Sequence, residues 1–164
     1  MSDVYVECLV PAKKSVASRV IVVLLIVLTV VFAVAMLLIP VAMLLAALTG
    51  LGAYFVNLYS NVEYEYLYLD KEITVDKIMA QSRRKRVATY SLERVEVFAP
   101  VTSWHLDNFK SRNVKTVDYS NGQTGEPDER YAMFYEGGTK VLLNPSEEFV
   151  KALMNVAPRK VFKD

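Results

Sequence analysis

The sequence predicts a membrane-embedded helical hairpin joined to a small α+β domain of antiparallel strands closed by one C-terminal helix. Three observations carry this reading. Val20 to Val62 contains no Asp, Glu, Lys, Arg or His, a run of 43 residues in a chain of 164. After it, short alternating or β-prone segments recur between turn residues. The chain then ends in one amphipathic stretch behind a helix-start signal. The domain division that follows is an N-terminal arm over 1–16, a two-helix transmembrane hairpin over 17–60 and a cytoplasmic β domain over 61–164.

The arm comes first. Val4, Val6, Cys8 and Val10 alternate with Tyr5, Glu7 and Leu9 in a β-prone segment. If both ends of the hairpin return to one side of the membrane, this arm can join the cytoplasmic sheet. The alternative is a disordered or interfacial arm.

The charge-free run would make roughly 64 Å of helix at ~1.5 Å per residue, about twice the ~30 Å hydrocarbon core of a bilayer. One span is too short to use it. We read helix one as Ser18 to Leu38 and helix two as Val41 to Tyr59, reversing near Leu38-Ile39-Pro40. Proline removes a helix-interior bond but fits a first turn, so Pro40 marks the start of the second helix. Lys13, Lys14 and Arg19 ahead of Ala33-Val34-Ala35 have the outline of a signal peptide. The apolar run nevertheless continues for more than twenty residues past Ala35, which such a peptide does not require.

Basic residues set the orientation. Lys13, Lys14 and Arg19 precede helix one, Arg83-Arg84-Lys85-Arg86 follows helix two, and the far turn carries no charge. The positive-inside rule then predicts a multi-pass cell-membrane protein with both termini in the cytoplasm. Tyr54, Phe55 and Tyr59 suit the inner aromatic belt. Ala42, Ala46, Gly50 and Ala53 line one face of helix two and allow close backbone approach. That face packs on helix one, on a second copy of the chain, or on a larger membrane partner. Neither helix holds an ionisable side chain, which argues against a proton relay or ion path in the hairpin.

In the soluble domain Tyr64, Tyr66 and Tyr68 alternate along a first strand, Glu63 to Leu69. Asp70-Lys71 turns into a second, Glu72 to Met79. Arg84 to Ser91 and Arg94 to Phe98 follow, then a long loop over Ala99 to Arg112 with a helical turn. Val114 to Tyr119 reads as a strand and Ser120 to Asp128 as a polar connection. Tyr131 to Glu136 and Thr139 to Leu143 form a hairpin on the two-residue turn Gly137-Gly138. Asn144-Pro145-Ser146-Glu147 has the form of a capping box, with Asn144 as N-cap and Pro145 at the first position. Phe149, Ala152, Leu153 and Val156 then mark the buried stripe of the last helix.

Charge and motif content exclude several functions. From Asn61 onward 16 Lys and Arg balance 16 Asp and Glu, which gives no basic surplus for nucleic acid. Cys8 is the single cysteine, so there is no intrachain disulfide framework. His105, beside the only tryptophan, Trp104, has no second His or Cys nearby to complete a metal site and no evident triad partner. Glu126, Asp128 and Glu129 lack the oxygen spacing and glycine of a calcium loop. The six glycines form no phosphate-binding fingerprint. No cofactor, metal or catalytic residue is expected. Arg83, Arg84, Lys85 and Arg86 are the one constellation with a physical case. Near a membrane each cation is worth ~1 kcal/mol against anionic headgroups. The same four residues also fit a solvated hairpin tip or a protein contact.

Arg86 to Val97 resembles the strand–strand corner of bacterial pleckstrin-homology-like (PH-like) membrane proteins, in which a pair of transmembrane helices commonly precedes the barrel. Lys140 to Phe149 is similar to their last strand running through a proline into the capping helix. The whole chain resembles a small bacterial family with a Tyr-Val-Glu-Cys-like strand, here Tyr5 to Cys8, a helical hairpin and an Arg-Arg-Lys-Arg-containing β region. The resemblance implies a PH-like antiparallel β-barrel or sandwich and brings no catalytic residues. The expectation is a membrane-anchored, non-enzymatic interaction module that binds protein or anionic lipid. An accessory subunit of a larger membrane complex, and a membrane enzyme with an unrecognised site, are the alternatives.

Overall fold

A computed structural model describes residues 5–164. Val4, assigned above to the first strand, lies outside them. The chain divides into two units: one holds the N-terminal segment to Lys13 with Glu63–Ile78 and Arg83–Asp164, the other Lys14–Val62 with Met79–Ser82.

The first unit is built from β1 (Val6–Pro11), β2 (Val62–Leu69), β3 (Glu72–Met79), β4 (Arg83–Ser91), β5 (Val95–Pro100), β6 (Lys115–Asp118), β7 (Tyr131–Tyr135), β8 (Thr139–Leu143) and a C-terminal helix. One sheet has the order β1-β2-β3-β4, the other β5-β7-β8-β6. β1 runs antiparallel to β2 with Cys8 opposite Tyr66 and Pro11 opposite Glu63. The arm therefore joins the sheet that begins after the second helix. Alternation explains the burial: Cys8, Val10, Tyr66 and Tyr68 are buried, as are Ile73 and Val75 of β3. They pack in one core with Phe98, Met133, Leu143, Phe149 and Leu153. The Tyr66 hydroxyl donates to the Tyr119 carbonyl and accepts from Asn144 N, which satisfies a polar group that would otherwise be costly to bury.

Three details differ from expectation. β6 lies parallel to β8, Val117 opposite Val141, so the second sheet is mixed rather than antiparallel. The polar connection from Ser120 to Arg130 skips one strand position to start β7, and β7 then runs back along the sheet, so that β8 can lie between them parallel to β6. The glycine hairpin has a three-residue loop, because Tyr135 pairs with Thr139; Gly137 and Gly138 both take positive φ. The last helix, residues Glu147–Val156, is capped by Ser146, whose side chain accepts from Phe149 N at 3.2 Å, and not by Asn144. Asn144 Oδ1 instead accepts from Asn121 N at 3.0 Å, tying down the polar connection.

After that helix the tail returns to β5. Phe98 N donates to Lys160 O at 2.7 Å and Phe162 N donates to Phe98 O at 2.9 Å, covering the free edge of β5.

The second unit contains helices α1 (Val16–Ala35) and α2 (Ala42–Ser60). α1 ends three residues earlier than predicted, in a tightened turn where Leu37 N donates to Val34 O. Pro40 sits just ahead of α2, its carbonyl accepting from Met43 N at 3.1 Å. Thr29 and Thr49 hydroxyls meet at 3.0 Å between the helices. A Cβ built on Gly50 would lie 3.5 Å from Thr29 Cγ2, and Ala42 and Ala53 are buried. Most other large side chains of both helices are exposed.

Candidate functional site

The basic run opens β4, on the outer edge of its sheet. Its four side chains are exposed, yet they do not share one environment. Arg84 Nη2 donates to Glu65 Oε1 at 2.8 Å, and Arg86 Nε lies 3.5 Å from Asp76 Oδ1. Both carboxylates are buried, each residue only 4 % exposed. Among the described residues, Glu65 Oε2 and Asp76 Oδ1 have no hydrogen-bond donor. Burial raises the Glu65 carboxyl above its ordinary value; Arg84 draws it back, while Glu7 and Asp76 push it up. The two arginines thus offset charge that the sheet has withdrawn from water, where an unpaired carboxylate is expensive. Arg83 and Lys85 alternate to the other side of the strand. Among the described residues neither forms an ion pair.

The sequence offered no sign of the two acidic partners. Glu65 and Asp76 look like the polar positions of alternating strands, and only the assembled sheet shows that they are buried.

His105 is part of a second cluster that motif reading missed. Its ring stacks between Trp104, centroids 3.8 Å apart, and Phe162, at 3.6 Å. Asp164 Oδ2 lies 3.8 Å from His105 Nε2 and accepts from Ser103 Oγ at 3.0 Å. Serine, histidine and aspartate are all present, but the aspartate stands in the middle. A nucleophilic triad needs histidine there, to take the serine proton. Ser103 Oγ also accepts from His105 N at 3.2 Å and caps the turn Trp104–Leu106. The cluster fastens the C-terminus to the loop after β5.

Among the described residues no group of three or more His, Cys, Asp and Glu could hold a metal ion. Ala42, Ala46, Gly50 and Ala53 lie along the buried or half-buried face of α2, with Gly50 against Thr29 of α1.

A family model described as a bacterial PH-like domain (DUF6106) matches residues 2–163. The chain belongs to that family. The matched span takes in the helical segment as well as both sheets, so the hairpin is part of this PH-like chain rather than an appendage. Neither curated proteins nor solved structures yield a match.

One cleft of the PH-like fold is apolar. It has a volume of about 350 Å³ and is lined by Lys71, Leu92, Val156, Ala157 and Pro158, with Lys160 at its rim. Lys160 is engaged there, its Nζ donating to Glu93 O at 2.6 Å. Glu93 and Arg159 complete its lining, and the Glu93 carboxylate is paired with Lys71 Nζ at 3.4 Å rather than turned toward a nucleophile. The basic edge of β4 is the place where charge, exposure and geometry coincide.

Proposed function

We propose that this protein is a membrane-anchored, non-enzymatic PH-like interaction module at the cytoplasmic face of the cell membrane, binding protein or anionic lipid there. The observation that carries the reading is the apolar surface of the helical unit. α1 has no buried residue, and its exposed side chains are Val, Leu and Ile on nearly every face. Both helices are long and apolar enough to cross a bilayer. In water such a surface would drive aggregation; in lipid it is the ordinary solvent-facing surface.

The strand register supports the topology. Pro11 lies opposite Glu63 in the β1–β2 ladder, so the segments entering and leaving the hairpin belong to one sheet. A chain built this way crosses an even number of times. Basic flanks then favour the cytoplasm for both termini. Cysteines introduced at Ser2 and Lys163 in a Cys8→Ser background should resist an impermeant reagent added to whole cells, and the protein should stay in membranes after alkaline carbonate washing. Extraction by carbonate, or labelling of either site, would reject the anchored topology.

The accessory-subunit reading takes a narrower form. With the small-residue face turned toward α1, a partner would have to pack on bulky side chains such as Val23, Val27, Leu44 and Leu48. A stoichiometric membrane protein copurifying in mild detergent, lost on substitution at these positions, would favour that reading.

A further inference from the structure

We propose that strand alternation divides the basic run into two pairs with different work: Arg84 and Arg86 neutralise the buried carboxylates of Glu65 and Asp76, while Arg83 and Lys85 form the pair that meets phosphate-bearing headgroups of an anionic bilayer. The inference rests on the membrane-anchored reading above and names the contact residues within it. Its first support is charge accounting. Arg84 and Arg86 lie 2.8 and 3.5 Å from acids whose residues are 4 % exposed, so each has a buried carboxylate to offset although its own side chain stays more than half exposed. Arg83 and Lys85 are exposed on the opposite side of the strand and, among the described residues, without an acidic partner. Their charge is free to act outward.

The second support is chain continuity. Met79–Ser82 groups with the two apolar helices, and Arg83 is the next residue. If those helices lie in a bilayer, Arg83 and Lys85 are the first cations without an acidic partner, among the described residues, that the chain reaches after Met79–Ser82. The group they fit is a headgroup phosphate with no compensating cation, as in phosphatidylglycerol, whereas choline offsets the phosphate of phosphatidylcholine. Guanidinium binds phosphate through paired N–H donors, ammonium as a point charge. Two such contacts orient a domain that the hairpin already anchors.

The test uses the full chain reconstituted in vesicles of phosphatidylcholine, with or without phosphatidylglycerol. The readout is hydrogen exchange of the amides from Ala80 to Val87. Wild-type protein should exchange there about tenfold more slowly on the anionic vesicles, a fraction of what two headgroup contacts could supply. Arg83→Gln with Lys85→Gln should abolish that difference and leave the unfolding midpoint unchanged. Arg84→Gln with Arg86→Gln should lower the midpoint and keep the difference. Should that variant not fold, adding Glu65→Gln and Asp76→Asn removes the stranded acids, and the quadruple variant should fold with the difference intact.

Loss of the difference in the quadruple variant, or its survival in the Arg83/Lys85 variant, overturns the division. So does reproduction of the protection by inorganic phosphate over neutral vesicles, which would make this a small-anion site. Wild-type protein that integrates but exchanges equally on both lipids also defeats the proposal while leaving the anchor standing. Wild-type protein that carbonate strips from the vesicles defeats the anchor itself.

Discussion

At the scale of single residues, the decisive group is a carboxylate placed where a strand ordinarily shows its wet face. Glu65 has one oxygen on Arg84 and the other without a donor among the described residues. Removing the guanidinium strands the acid, although Arg84 is more than half exposed and solvent softens the effect. Arg84→Gln should therefore cost about 1–2 kcal/mol, and Glu65→Gln on top should recover most of it. The check is a double-mutant cycle from urea unfolding in micelles, followed by the fluorescence of Trp104. Asp128 and Arg130 behave oppositely. Their bidentate pair, Nε to Oδ1 at 2.9 Å and Nη2 to Oδ2 at 2.6 Å, holds the Asp128 carboxyl below its ordinary 3.8. Its contribution is full above that ordinary value and is lost as pH falls through the lower folded one. Asp128→Asn should thus destabilise by about 1 kcal/mol at neutral pH, with the gap to wild type closing in acid. Of the candidate site, the basic run was legible from four adjacent letters; the two acids that divide it were not. Charge is written in the sequence, while burial of a polar strand position depends on neighbours brought together by register.

Among the elements, local signals were reliable where one residue type dictates geometry. The charge-free run marks the helices, alternating tyrosines mark β2, and paired glycines mark the β7–β8 loop. They failed where two local solutions compete. Asn144 and Ser146 are both good N-caps, and the chain uses Ser146 because Asn144 is drawn off to Asn121. Ser146→Ala should accordingly cost about 1 kcal/mol of helix stability, measured by thermal unfolding. The parallel β6–β8 pairing had no local signal, since it depends on a long connection. Nor did the β3–β4 turn, where Ala80 and Gln81 take φ of 54 and 56 without a glycine. Left-handed backbone penalises a Cβ, so Gln81→Gly should raise stability by about 0.5–1 kcal/mol. A shift of the unfolding midpoint downward would show that the side chain supplies something the backbone does not.

For the whole molecule, the first strand matters out of proportion to its six residues. Val10 and Cys8 are buried in the main core and the strand closes one edge of its sheet. Deleting residues 5–11 should expose the two-sheet unit to rapid limited proteolysis; unchanged resistance would show the strand to be dispensable. The placement of that strand also imposes an order of events on synthesis. The ribosome makes β1 ahead of both helices, yet its partner β2 emerges only after them. Closing a flexible loop of that length would cost roughly 3–4 kcal/mol in chain entropy. Helices that pair as soon as they are made leave a much shorter stretch to close and lower that cost. Helix pairing would then come before sheet closure, and a strand made ahead of both helices would be among the last to find its place.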